Sequence, residues 1–282
     1  MRYFMRVIQS DLITSEIKRI CINANCILSD DMKKAIENSR EKETSPTGKD
    51  VIDKIIENYK IAQKKNVPIC QDTGMAVFFV EIGKDVFVEG KSITESINEG
   101  VRQGYEEGYL RKSIVKDPIF RENTKDNTPS VIHYSFTDGD KIKITFIPKG
   151  FGSENMSAIK MFAPSDGVEA IKRFVIQTVE NAGSNPCPPI VVGVGIGGDF
   201  ESSAILAKKA IAKEEPNENE YYRELEKELL TLINKLGIGP AGYGGNVTCL
   251  KVNIETAPTH IAGLPCAVNI SCHASRHTSI II

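Results

Sequence analysis

The sequence predicts a mixed α/β fold of the α+β kind, with a helical N-terminal region over 1–66 and mixed sheet segments with packed helices over 67–282. Three observations point there. Apolar residues recur at three- and four-residue spacing through the first 66 positions, the helical period. From Val67 onward short apolar runs are punctuated by glycine, the mark of strands. Finally, strands and helices do not alternate regularly, so a parallel doubly wound sheet is not indicated.

Taken in order, helices are expected over Leu12–Ala24, Asp30–Ser39 and Lys49–Lys64. Ser29 or Asp30 serves as a cap, and Pro46 and Gly48 separate the last two. Met75–Ile82 and Val86–Val88 read as strands and Ile93–Tyr109 as a helix. The polar stretch from Leu110 to Ser130 has almost no periodicity, and a loop of that length is often functional. Val131–Phe136 and Lys141–Ile147 read as a hairpin closed at Asp138-Gly139. Lys149–Asn155 is a second glycine-containing loop, followed by a helix over Gly167–Ala182 and a strand over Ile190–Val194. Gly195–Gly198 turns into a helix over Ser202–Lys213, and Tyr221–Leu236 is another. A glycine-rich segment then precedes a strand at Thr248–Ile254. The apolar tail Ser279–Ile282 fits a terminal strand or a subunit contact. The 282 residues are read as one unit, long enough to bury a sizeable core.

Composition excludes several classes. With 41% apolar and 26% charged residues and a net charge of −2, nothing favours nucleic acid or an anionic membrane surface. No apolar run approaches the roughly 20 residues of a membrane span, and the N-terminal stretch lacks a secretory pattern, so a cytoplasmic location is expected. Seven scattered cysteines without an export signal argue against a disulfide framework, and no CxxC pair suggests a zinc ribbon.

One motif invites a nucleotide. Gly193-x-Gly195-x-x-Gly198 lies between a predicted strand and helix, as a dinucleotide-binding turn requires, and an oxidoreductase built on it is the alternative from another class. Against it, Glu214 and Glu215 fall in a solvated linker rather than at a second strand end, and no series of βαβ units surrounds the motif.

A set of ordered segments carries more information than any one of them. PICQDTG at Cys70, LRKSIVKDPIFRENTKDNTP at Leu110–Pro129 and KGFGSEN at Lys149–Asn155 come first. NPCPP at Cys187, GIGPAGYGGNVT at Gly237–Thr248, APTHIAGLP and the closing CHASRH follow. Together they resemble the α subunit of the iron–sulfur (class I) fumarate hydratases and the L-tartrate dehydratases, from about Ile8 to His277.

The resemblance implies a [4Fe–4S] cluster held by Cys70, Cys187 and Cys272, with one iron left open to act as a Lewis acid. Cys21, Cys26 and Cys249 match no ligand position and are read as packing residues; Cys266 lies near Cys272, but the CHASRH context favours Cys272. It implies a hydro-lyase that hydrates fumarate to malate, a tricarboxylic acid cycle step, with L-tartrate dehydration or mesaconate hydration as alternatives. Asp72 is expected to transfer a proton or orient the hydroxyl, and Gln71 to hydrogen-bond a substrate carboxylate. The alternative for Asp72 is an Asx-type turn closed onto Gly74. Arg111 is expected to grip a carboxylate with its planar fork. Gly152 and its neighbours are expected to offer main-chain N–H groups, in a loop where Phe151 replaces the family's usual glycine. His260 is the expected proton relay, with His273 and His277 supporting the third ligand and His133 given no role. Single-chain relatives continue into a second domain that supplies the base. The resemblance therefore implies a separate β subunit, in an α2β2 assembly.

Overall fold

The computed structural model describes residues 5–282 and is an α+β protein. The chain divides into two compact units. One comprises the described part of Met1–Ser29 with Ile61–Lys149 and Arg276–Ile282, and the other Asp30–Lys60 with Gly150–Ser275.

In the first unit, β1 (Arg6–Gln9) leads into α1 (Ser10–Cys26), which packs against α4 (Ile93–Glu107). The two helices approach closely because α4 presents Gly100 and Gly104: a Cβ on Gly100 would stand 2.6 Å from the Cβ of Ile17. Ser92 and Glu95 form a reciprocal capping box that fixes where α4 begins. Strand β2 (Met75–Gly83) is central in a four-stranded sheet with β10 (Thr278–Ile281) and β5 (Ile142–Lys149) on one side and β4 (Val131–Thr137) on the other. A short parallel pair joins β1 to β3 (Val86–Glu89). Ile13, Ile17, Phe78, Val80, Val101, Ile144 and Phe146 fill the core between helices and sheet. Burying each such side chain contributes roughly 1.5–3 kcal/mol.

The expected hairpin of β4 and β5 does not form. Both strands pair with β2 instead, β4 parallel and β5 antiparallel. The apolar run MAVFFV must be covered on both edges as well as both faces, so it takes the centre and separates its sequence neighbours. The Asp138-Gly139 turn accordingly caps the end of β2, with Gly139 accepting from Asp85 N–H and Lys141 from Gly83 N–H. The tail pairs with β5 as a terminal strand.

The second unit holds α2 (Asp30–Lys42) and a sheet ordered β6 (Ala158–Phe162), β9 (Leu264–Ser271), β7 (Ile190–Gly198) and β8 (Cys249–Thr259). Strand β7 runs parallel to β8 and antiparallel to β9. Its Val192 and Val194 face a core shared with α6 (Gly167–Ala182) and α8 (Glu220–Asn234). On the opposite face Gly193 and Gly195 meet α7 (Phe200–Ile211) so tightly that a Cβ on either would sit 2.1 Å from a carbonyl oxygen of Ala207 or Ser203.

This geometry revises the reading of the glycine series. The strand expected to stop at Val194 continues to Gly198, so Gly195, expected to open the turn, lies within the strand like Gly193. Their small size is accounted for by strand–helix contact. The strand-end turn on which a dinucleotide pyrophosphate docks is not formed there.

No helix among the described residues is long and apolar enough to cross a membrane.

Candidate active site

In the first unit, the turn Cys70–Gly74 joins the end of α3 (Pro46–Lys65) to β2. Its conformation is set residue by residue. Ile69 N–H donates to the carbonyl of Asn25, and Asp72 Oδ1 accepts from Gly74 N–H at 3.0 Å, the Asx-type closure. Gly74 has φ +80°, and a Cβ there would stand 2.7 Å from the main chain of Pro148 and Lys149, so only glycine fits. The buried Tyr105 hydroxyl donates to the carbonyls of Thr73 and Gly74, at 2.9 and 3.0 Å. Burial holds that phenol well above its ordinary range, so it stays a donor.

Thr73 ties the turn to the long polar loop. Its hydroxyl accepts from Arg111 N–H at 2.9 Å and lies 3.2 Å from the Arg111 carbonyl, to which it donates. The main chain of Arg111 is thereby fixed beside Cys70–Gly74, with the arginine itself exposed. A second anchor is Asn127, fully buried, whose side chain accepts from Ser113 N–H and donates to the Gly74 carbonyl. Between the anchors the loop folds back through a Val115–Asn123 bridge, so the segment without periodicity is nonetheless ordered. Gln71 is exposed, with its Oε1 3.5 Å from Cys70 Sγ. The first unit therefore brings Cys70, Gln71, Asp72 and Arg111 together.

In the second unit the sheet register brings Cys187 and Cys272 to one end. Strand β7 begins three residues after Cys187, Cys272 follows β9 directly, and Val191 pairs with Ser271. Cys187 has φ +55°, a conformation that turns its side chain out of the NPCPP corner. The carbonyl of Cys187 accepts from His273 N–H at 3.4 Å and lies 3.0 Å from His273 Nδ1. The glycine-rich segment before β8 reaches the same corner, where Ala241 N–H donates to Pro188. Gly152 stands in the one-turn α5 (Phe151–Glu154), where a Cβ would lie 4.0 Å from the Asn185 carbonyl oxygen.

His260 is not part of that end. It follows Thr259, which pairs with Gly198 at the far end of β7, in the connection from β8 to β9. The eight residues of β9 separate it from Cys272, on the order of 25 Å at about 3.3 Å per residue. A short separation in sequence became a long one because the intervening chain is a single extended strand. His133 stacks on Phe79.

Burial sorts the seven thiols. Cys21, Cys26, Cys249 and Cys266 are buried, whereas Cys70 and Cys272 are half-buried and Cys187 is exposed. Loss of hydration pushes the Cys249 and Cys266 thiols up to about 12 and the Cys21 thiol higher still, and burial also raises Cys26. Metal ligation needs the thiolate, so those four are poor ligands. Cys266 in particular lies inside β9 and the core, 0% exposed. Cys70 in the first unit and Cys187 and Cys272 in the second thus keep a sulfur within reach of solvent, as a thiolate ligand requires. Sequence reasoning missed Tyr105, Asn127 and Arg276 as supports of the Cys70 turn. Of these, the Asn-Thr-Pro at Asn127 carried a turn signal that pointed to it.

The chain belongs to the fumarate hydratase (Fumerase) family of hydro-lyases, whose model matches residues 14–281. It is 45% identical over 272 residues to a Methanocaldococcus jannaschii protein named "Putative L(+)-tartrate dehydratase subunit alpha", covering 94% of this chain and 95% of that one. The L(+)-tartrate dehydratase subunit alpha of Escherichia coli K12 is 31% identical over 276 residues, covering 95% and 91%. The protein of the same name from Escherichia coli O157:H7 matches to the same extent.

Proposed function

We propose that this chain is the α subunit of an iron–sulfur hydro-lyase that hydrates fumarate to malate together with a separate β subunit, in an α2β2 assembly. The observation that carries the reading is the double hydrogen bond of Thr73 to the main chain of Arg111. It fixes the main chain of Arg111, whose guanidinium suits a carboxylate, beside a turn whose successive side chains are a thiol, an amide and a carboxylate. L-tartrate is the second reading, favoured by the names of the relatives.

In this reading Cys70, Cys187 and Cys272 hold a [4Fe–4S] cluster, which when bound supplies Lewis acidity toward the leaving hydroxyl. The residues of the chain do the rest. Arg111 binds one substrate carboxylate bidentately. Gln71 hydrogen-bonds a carboxylate oxygen, and Gly152 offers a main-chain N–H. Asp72, oriented by its bond to Gly74 N–H, orients the hydroxyl or moves a proton at that oxygen, toward it in dehydration and away from the attacking water in hydration. The base that removes the carbon-bound proton is assigned to the β subunit. His260 is not assigned a step, given its distance from the cysteine end of β9.

The test is anaerobic reconstitution of the complex with its β subunit, followed by iron analysis and turnover of fumarate against L-tartrate. Bound iron with fumarate turnover is expected. Iron with tartrate turnover alone replaces the substrate, and no iron with no turnover of either diacid overturns the assignment.

A further inference from the structure

Arg276 is a cation buried without a carboxylate. It is 3% exposed, and its guanidinium has two partners, both neutral. Nη1 donates to Asn25 Oδ1 at 2.9 Å, and Nη2 donates to the main-chain carbonyl of Asp72 at 2.8 Å. Nε has no hydrogen-bond partner. Neither of these partners is a carboxylate; the Asp72 side chain, on the residue whose carbonyl Arg276 binds, accepts from Gly74 N–H. Asn25 is itself fully buried and held by its own bond to the Cys21 carbonyl, so the pairing cannot slide.

Buried charges in proteins are normally paired, because the attraction of a counter-ion must offset lost hydration. A guanidinium held by an amide and a carbonyl keeps its full charge, and water cannot screen it. Asparagine at position 25 is informative here. Aspartate has the same shape and would neutralise Arg276 at the same atom, yet an amide stands in its place. The uncompensated charge lies against the Cys70–Gly74 turn, where hydrophobic packing alone would have favoured an apolar side chain.

We propose that Arg276 is a positioning residue whose unneutralised charge favours an anion held at the Cys70–Gly74 turn, either a cluster ligated through the Cys70 thiolate or the carboxylate of the diacid substrate. This rests on the functional reading above and adds to it a group that touches neither the cluster nor the substrate. A merely structural arginine, by contrast, would serve the fold as well or better with a carboxylate at position 25.

The deciding variant is therefore Asn25→Asp in the reconstituted α–β complex. It is expected to hold or raise the melting temperature, because it completes a buried ion pair, while weakening the site. A several-fold fall in iron retained per α subunit would make the cluster the anion concerned. Full iron with a tenfold or greater rise in KM for the diacid would make it the substrate. Arg276→Gln should show the same loss, and Arg276→Lys should recover part of it by restoring charge without the fork. Wild-type iron content, KM and kcat in Asn25→Asp would overturn the proposal. If Asn25→Asp does not fold, unchanged iron and KM in Arg276→Gln overturn it equally. A wild-type complex that neither binds iron nor turns over a diacid overturns the functional reading and this inference with it. Active wild type with indifferent variants removes Arg276 alone.

Discussion

The Cys70 turn and the corner that carries Cys187 and Cys272 achieve fixed thiol positions by opposite means. The Cys70 turn is held by side chains: Thr73, Tyr105, Asn127 and Arg276 each grip a main-chain group of the turn or of the loop beside it. The Cys187 and Cys272 positions are held by backbone, through the antiparallel register of β7 and β9 and the positive φ of Cys187. Side-chain anchoring makes a site sensitive to substitutions of individual polar residues. Register anchoring makes it sensitive to whatever moves a strand.

The largest effects should treat the two regions alike. Serine at Cys70, Cys187 or Cys272 is expected to abolish iron binding in the reconstituted complex and lower turnover by on the order of 100-fold or more. Cys266→Ser should instead lower stability and leave iron per folded chain unchanged. Iron analysis beside thermal melting separates the two outcomes, and equal iron loss in Cys266→Ser would reverse the ligand assignment.

The next effect should break the register-held region selectively. Gly195→Ala inserts a methyl 2.1 Å from the Ser203 carbonyl, and a destabilisation on the order of 2–4 kcal/mol is expected in chemical denaturation. A neutral result would mean that β7 and α7 can separate without penalty.

The side-chain-held region has its own two probes. Arg111→Ala should raise KM for the diacid by about 10- to 100-fold, as expected for a lost charge-assisted pair worth roughly 1.5–3 kcal/mol, with lysine restoring only part. Thr73→Val keeps shape but leaves the Arg111 N–H without its acceptor. About 1–3 kcal/mol of stability should be lost, and KM should move more than kcat while iron stays.

The smallest expected effect is a pH dependence. Glu43 is buried just beyond α2, and burial alone would raise its carboxyl. Main-chain N–H donors of Ser45, Asn246, Val247 and Thr44 outweigh this, so its pKa lies below the ordinary value. The folded state therefore binds this proton less readily than the unfolded chain. Its contribution is present above the unfolded value of about 4.3 and fades as pH falls through the lower folded value. Glu43→Gln should be less stable at neutral pH and show a flatter stability profile in the acid range, measured by denaturation at stepped pH. An unchanged slope would remove Glu43 from the acid response.

Much of the fold was legible because helices announce their ends locally. The capping box at Ser92 and the glycine at position 183 bracket α4 and α6 where the sequence reading put their boundaries, within a few residues. Strand pairing was not legible in the same way. The insertion of β2 between β4 and β5 is decided by which strand needs most cover, a property of the assembled sheet. Strands β6 and β9 were missed because neither AIKMF nor LPCAVNIS alternates cleanly. For the site, dispersed motifs carried the expectation for Cys70 and Arg111. The Thr73 link that joins them, the neutral cradle of Arg276 and the displacement of His260 to the other end of β9 depend on tertiary contacts that no linear spacing encodes.

Strand β2 begins directly after Gly74 and is paired on both sides within its sheet. Opening the Cys70 turn thus means peeling that strand from both neighbours, which is tantamount to melting the whole unit. Amide protons at Gly74 and Met75 should accordingly exchange with solvent only as slowly as the unit denatures. If the proposed cluster were lost to an oxidant, the Cys70 turn itself would then keep its shape, ready for reloading.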